Sequence, residues 1–193
     1  METRKRVLGE EHPDTLTSMN NLAETFRGQG NHEKAEEMHK RALELRQKVL
    51  GSEHPATLTS MINLAEALKC LRKYEAAEEK HQRALDLRKK ILGEEHPATL
   101  TSMSLLAEVL KCLRKYEAAE EKHQRALDLR KKILGEKHPA TLNSMNNLAE
   151  VFQCQGKYKA AKKMYKQALE LYPKGSEHQT NTTAYHDQSR ASA

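Results

Sequence analysis

Apolar side chains recur at intervals of three and four residues along most of the chain, which is the spacing of one face of an α-helix. The first such segment runs from about residue 13 to residue 28, and its stripe consists of Leu16, Met19, Leu22, Ala23 and Phe26. Pro13 stands at its start, where a helix tolerates proline because the missing N–H would have no partner there. After a break at 28–31, a second striped segment follows from about 32 to 50. The pattern predicts an antiparallel pair of helices.

This pair recurs every 42 residues. The His-Pro dipeptide begins at His12, His54, His96 and His138, and Leu-Ala-Glu begins at Leu22, Leu64, Leu106 and Leu148. A fixed period of this length is the signature of a stacked repeat array. The predicted units are about 13–54, 55–96, 97–138 and 139–173. Residues 1–12 align with the end of a second helix and predict the remnant of a preceding repeat, and the polar segment 174–193 predicts a disordered tail.

Smaller features of each unit also repeat. Gly51, with its equivalents Gly93 and Gly135, stands where a left-handed residue commonly ends a helix. Acidic and basic residues four apart predict ion pairs on the outer face of the second helices. These pairs are Glu37–Arg41, Glu79–Arg83 and Glu121–Arg125.

The apolar positions resemble the tetratricopeptide pattern, which has a large residue, Leu, a small residue and an aromatic in the first helix, then Ala-x3-Phe in the second. Here the first unit reads Met19, Leu22, Ala23, Phe26, then Ala35-x3-His39. The 42-residue period with Leu-Gly-x-x-His-Pro resembles kinesin light chain repeats, and also arrays that follow a nucleotide-binding domain in fungal and bacterial signalling proteins. The resemblance implies an all-α fold, a right-handed α-solenoid of stacked antiparallel helix pairs, with the first helices on the concave wall.

Composition narrows the class of partner. Aromatic residues make up only 4% of the 193 residues, which suits a thin repetitive core. No apolar run is long enough to span a bilayer, so no membrane partner is expected. Three cysteines form no disulfide framework, which predicts a cytoplasmic location. The net charge of +6 comes from lysine and arginine interleaved with glutamate, a mixture that argues against nucleic acid as a partner.

Repeated His and Cys residues raise the question of chemistry. Equivalent residues of stacked units lie about a helix diameter, ~10 Å, apart, which is too far for His12, His54 and their equivalents to share a metal ion or for Cys70 and Cys112 to form a disulfide. We therefore interpret the first set as helix caps and the second as small helix-end residues. No nucleophile–base pair or phosphate loop is present. The sequence predicts no enzyme activity, no metal and no cofactor.

The predicted function is protein binding. Positions three apart on each first helix form one face, with polar character opposite to the apolar stripe. We predict that this face lines a concave groove for a peptide or partner protein. Its residues are Asn21, Glu24, Arg27, Asn63, Glu66, Lys69, Leu105, Glu108, Lys111, Asn147 and Glu150.

Alternative interpretations stay open at this point. The polar face is equally compatible with an ordinary solvated helix surface. The chain could also be the sensor or self-association segment of a larger nucleotide-binding signalling protein. Uncovered units at the two ends of the array predict self-association. For the histidines His39, His81 and His123, which replace an aromatic in the helix seam, we predict partly buried, hydrogen-bonded side chains.

Overall fold

A computed structural model describes residues 2–172 of the chain. Within this range it contains nine α-helices and no strand. They are α1 (Glu2–Leu8), α2 (Pro13–Gly28), α3 (His32–Leu50), α4 (Pro55–Cys70), α5 (Tyr74–Leu92), α6 (Pro97–Cys112), α7 (Tyr116–Leu134), α8 (Pro139–Cys154) and α9 (Tyr158–Leu171). The predicted disordered tail, 174–193, lies outside the described residues.

Each first helix begins in the same way. Proline occupies the first helical position, and the histidine before it caps the helix: Nδ1 of His54 accepts a hydrogen bond from the backbone N–H of Ala56 at 3.1 Å. His12, His96 and His138 make the same contact at the starts of α2, α6 and α8. The cap satisfies one of the backbone donors that a helix start leaves unpaired. The interpretation of these histidines as caps is confirmed.

The second helices end differently from the prediction. Gly93 has a positive φ of 85° but a ψ of 164°, and Gly51 and Gly135 match it closely. A left-handed helical cap would have a ψ near 50°. The observed conformation is extended and open almost only to glycine. It directs the chain out into the Leu-Gly-x-x-His-Pro connection instead of curling it back over the helix end.

The core is continuous from one pair to the next. Small residues mark the close approach of helices within each pair, since Ala35, Ala77, Ala119 and Ala161 are all fully or almost fully buried. Large residues fill the contact between successive pairs. In the last such contact, Leu127 of α7 packs with Leu142, Met145 and Leu148 of α8 and with Ala168 of α9. Each layer therefore buries its apolar surface against its neighbours, as expected for a repeat array.

Helices in succession along the chain, from α2 to α9, pack against one another. First helices also approach each other directly, α2 with α4 and α6 with α8, whereas no two second helices in the described range come as close. The first helices therefore lie on the inner side of the stack. The predicted fold, an all-α right-handed solenoid of stacked antiparallel helix pairs, is confirmed.

Candidate functional site

The predicted groove residues begin with one position in each first helix, occupied by Asn21, Asn63, Leu105 and Asn147. Asn21 is exposed, and the other three are half-buried because a preceding unit stands beside them. Leu105 packs against the apolar cluster that contains Met61 and Leu64 of α4. It therefore contributes to the contact between α4 and α6.

The glutamates one turn further along contact the second helix of their own unit. Oε1 of Glu66 lies 3.1 Å from Nε2 of His81, and Lys69 donates to its other oxygen at 2.6 Å. Glu24 contacts His39 at 3.1 Å and Arg27 at 2.7 Å in the same way. In the third unit Glu108 lies 3.2 Å from His123 and 2.8 Å from Lys111. Each of the first three units thus joins a glutamate, a histidine and a cation in one cluster.

The three histidines of these clusters are completely buried. In the first unit, Nδ1 of His39 lies 2.9 Å from Oδ1 of Asn20, whose amide nitrogen donates to Ser60 on the next first helix. Burial lowers the pKa of His39, and the neighbouring Glu24 offsets only part of this effect. A neutral ring has a single N–H, which it can donate to Glu24 or to Asn20. The prediction of hydrogen-bonded histidines at this seam is confirmed for the first two units, but the rings are completely buried, not partly as predicted.

The carboxylates of Glu66 and Glu108 are stabilised as anions. Burial alone would raise the pKa of Glu108, but the contacts with His123 and Lys111 and the positive charge of Lys111 outweigh it and lower the pKa to about 2. The pKa of Glu66 is lowered for the same reasons. The pKa of Lys111 is raised by Glu108 and Glu150, against the effect of its burial. The charged groups of Glu66, Glu108 and Lys111 therefore pair with one another or with neighbouring residues of the protein.

The fourth unit departs from this arrangement. Tyr165 stands in place of the buried histidine and Gln153 in place of the cation, and the Tyr165 hydroxyl donates to Oε1 of Gln153 at 3.2 Å. Glu150 instead accepts a hydrogen bond from Lys111 of the third unit at 2.7 Å. Seven of the eleven predicted residues therefore form three clusters within units and one link between α6 and α8. The structure does not bring the other four, Asn21, Asn63, Leu105 and Asn147, into these contacts.

Three inner arginines were missed by the sequence argument. Arg46 of α3 reaches between α2 and α4, where it donates to Thr17 at 3.0 Å and to Ser60 at 3.0 Å. Arg88 reaches α6 and donates to Ser102 at 2.8 Å, and Arg130 lies between Ser104 and Ser144. The available signal was their register: they fall on the buried stripe of the second helix, four residues after a buried alanine.

These arginines carry charge without a nearby anion. Among the described residues none of the three forms an ion pair with a carboxylate. Burial lowers the pKa of each of them. A buried guanidinium is costly unless hydrogen bonds or an opposite charge compensate it. Arg46 is only 6% exposed and Arg88 and Arg130 are half-buried, so these guanidinium groups join adjacent units through neutral hydrogen-bond acceptors, without a paired carboxylate among the described residues.

The remaining sequence features are structural. Cys70, Cys112 and Cys154 are free thiols at the last residues of α4, α6 and α8. Within residues 2–172 no three His, Cys, Asp or Glu side chains are grouped so that they could hold a metal ion. No helix in that range combines the length and the apolar character needed to cross a bilayer.

Comparison with known proteins places this geometry in a family. The tetratricopeptide repeat model matches residues 1–48, 25–90, 63–132 and 104–174, which together cover most of the chain. No curated protein sequence matches significantly.

Solved structures give the same result. A Podosopora anserina protein of the kinesin light chain type, with nearly identical TPR-like repeats, superposes with a TM-score of 0.78 and 28% identity over 88% of this chain and 81% of that one. A single-substitution variant of that protein gives a TM-score of 0.80 with the same identity, over 88% of this chain and 80% of the variant. BtubC (BKLC) from P. vanneervenii shares the fold at 22% identity and a TM-score of 0.74, over 88% and 70% of the two chains. The chain belongs to the tetratricopeptide repeat family.

Proposed function

We propose that the chain is a protein-interaction scaffold that binds a peptide, or an extended segment of a partner protein, along the inner face formed by α2, α4, α6 and α8. The observation that carries this proposal is the row of Arg46, Arg88 and Arg130. Their guanidinium groups contact the first helix of the following unit and lack a carboxylate partner among the described residues. Arg46 is only 6% exposed, whereas Arg88 and Arg130 are half-buried and are the members of the row that a ligand can contact. For Arg88, only Nη1 is engaged by hydrogen bonds there, which leaves Nε and Nη2 for a ligand.

The charge on this face favours acidic ligand side chains. A row of glutamates would repel them, but Glu24, Glu66 and Glu108 are each neutralised by a cation of their own unit. Guanidinium groups bind carboxylates with paired hydrogen bonds. Asn63 and Asn147 add side chains that can both donate to and accept from a peptide backbone.

The scaffold is proposed to act without catalysis and in the cytoplasm. The histidines that contact carboxylates, His39, His81 and His123, are completely buried and cannot reach a substrate. The three thiols are free, which suits a reducing compartment.

The test uses peptides selected from a random phage-displayed library for binding to the full chain. We expect the selected peptides to be rich in Asp and Glu. Replacing both Asn63 and Asn147 by Ala should weaken binding of a selected peptide by about tenfold, because two hydrogen-bonding groups are lost. Neither side chain makes a hydrogen bond within the described residues, so the melting temperature should stay unchanged.

The matched control is Glu79→Ala on the outer side of α5, where the carboxylate is exposed. This variant should bind the selected peptide as the unmodified chain does. Unchanged affinity in the asparagine double variant, or an equal loss in Glu79→Ala, would remove the inner face from the proposal.

A further inference from the structure

One face of α9 is left uncovered by the described residues. Leu169 is 74% exposed there, whereas the leucines at the same register of the preceding units, Leu85 and Leu127, are each 1% exposed. Tyr158 is 70% exposed on the same helix. Together with Ala161, Lys162, Tyr165 and Lys166 these residues line a depression of about 510 Å3. An exposed apolar depression rimmed by charged groups is a candidate interaction site.

The preceding units show what kind of element fits such a face. Leu127, the equivalent of Leu169, is covered by Leu142, Met145 and Leu148 of the following first helix. These three residues stand at positions i, i+3 and i+6 of one helical stripe. The element that matches the α9 face is therefore an amphipathic helix with apolar residues at this spacing.

Charge at the rim distinguishes α9 from the other second helices. In each preceding unit a glutamate bonds to a lysine of the following unit: Glu36 to Lys73 at 2.7 Å, Glu78 to Lys115 at 2.7 Å and Glu120 to Lys157 at 2.9 Å. At this register α9 carries Lys162 instead. Lys159 and Lys163 likewise replace glutamates of the earlier units. The rim of α9 is therefore positively charged where the rims of the earlier second helices are negatively charged. It repels a lysine of the kind that bonds to the earlier units, and it attracts a carboxylate.

The same contacts give the register of that carboxylate. Glu120 accepts hydrogen bonds from Gln155 at 2.8 Å and from Lys157. Counted from Leu142 as position i, these residues stand at i+13 and i+15. A group that meets Lys162 in the equivalent way must stand just beyond the carboxyl end of the docked helix.

We propose that the exposed face of α9 docks an amphipathic helix of a partner protein, with apolar residues at i, i+3 and i+6 and an acidic residue between i+13 and i+15. A second copy of this chain satisfies only half of this requirement. Its α2 has Leu16, Met19 and Leu22 at the apolar spacing, but Leu16 and Met19 are already buried in their own chain, and Gln29 and Asn31 stand at the acidic positions. The site adjoins the inner face at Gln153 of α8, which also lines the depression, but it uses none of the arginines or asparagines on which the proposed function rests.

The array supplies its own probe for the experiment. Two fluorescent peptides of residues 139–157 are compared by anisotropy against the full chain: the native sequence, and one with Gln155→Glu and Lys157→Glu. We expect the acidic peptide to bind at least about threefold more tightly at low salt, because the exchange turns a rim repulsion into an attraction. Lys162→Glu in the chain should reverse the order of the two peptides, and Leu169→Glu should abolish binding of both. Lys162 and Leu169 are exposed, so neither change should alter folding.

Three outcomes would overturn the proposal. The first is binding of neither peptide to the full chain. The second is an unchanged preference in Lys162→Glu. The third is concentration-dependent association of the unmodified chain in sedimentation that Leu169→Glu removes, which would assign the face to a second copy. Docking on α9 should also be insensitive to Asn63→Ala, so failure here and failure of the inner-face proposal are distinguishable.

Discussion

The carboxylate of Glu108 shows how one residue links stability to pH. It lies 3.2 Å from His123 and 2.8 Å from Lys111, and its side chain is 28% exposed. These contacts lower its pKa to about 2 in the folded protein, compared with 4.5 for an unperturbed glutamate. The unfolded chain therefore binds a proton at a higher pH than the folded chain does. The stabilisation from Glu108 is complete above pH 4.5 and is lost as the pH falls towards 2.

We predict that lowering the pH from about 6 to about 2.5 destabilises the unmodified protein more than Glu108→Gln, by about 2 kcal/mol. The full shift would correspond to a larger value, and solvent reduces it because the side chain is partly accessible. Urea denaturation at the two pH values measures the difference. Glu121→Gln is the control, since Glu121 is 74% exposed. An acid-induced loss of the same size in all three proteins would contradict the assignment.

The sequence could place Glu66 and His81 separately but could not join them. Helical spacing assigns each residue to a face of its own helix. Their contact depends on how two helices cross, and fifteen residues separate them along the chain. Arg88 was missed for a related reason. In the sequence, a charged residue within an apolar stripe interrupts the stripe, and its buried role becomes evident only when its hydrogen-bond partners on the next helix are known.

At the scale of the helix, local sequence signals predicted the first residue of the helices better than the ion pairs on their surface. The starts of α2, α4, α6 and α8 at proline are where the sequence placed them. The outer ion pairs were predicted wrongly. Arg41 contacts Glu10 at 3.4 Å and Arg125 contacts Glu94 at 2.7 Å, in each case in the loop that precedes the unit. Each of these arginines is long enough to reach a carboxylate in a neighbouring loop. Residue spacing along a single helix does not predict such a contact.

The conformation of Gly93 carries a second prediction. Its φ of 85° and ψ of 164° are strained for any residue with a Cβ, although no atom would collide with one. Gly93→Ala should therefore destabilise the protein by about 1–3 kcal/mol through backbone strain alone. Gly28→Ala is the matched control, because Gly28 ends α2 with open space around it and no positive φ. It should be neutral, or stabilising by up to about 1 kcal/mol. Guanidinium denaturation of the two variants measures both effects, and equal changes would show that the strain is absent.

At the scale of the whole molecule, stability depends on contacts between adjacent layers, since each apolar cluster draws residues from neighbouring units. The 42-residue period predicted this stacking from the sequence alone. It could not predict how the last layer differs, because equivalent residues have equivalent surroundings only where a neighbour is present. Leu85 and Leu169 hold the same place in the repeat, yet one is 1% exposed and the other 74%.

This difference in exposure predicts that the same leucine-to-alanine substitution has different effects at the two equivalent positions, Leu85 and Leu169. Leu85→Ala should destabilise the protein by about 3 kcal/mol, because it removes buried methyl groups and leaves a cavity between α5 and α6. Leu169→Ala should change the free energy of unfolding by less than about 0.5 kcal/mol, because little apolar area is lost from an already exposed side chain. Chemical denaturation of both variants at low protein concentration measures the two values. A cost for Leu169→Ala as large as that for Leu85→Ala would mean that the α9 face is covered in solution before any partner arrives.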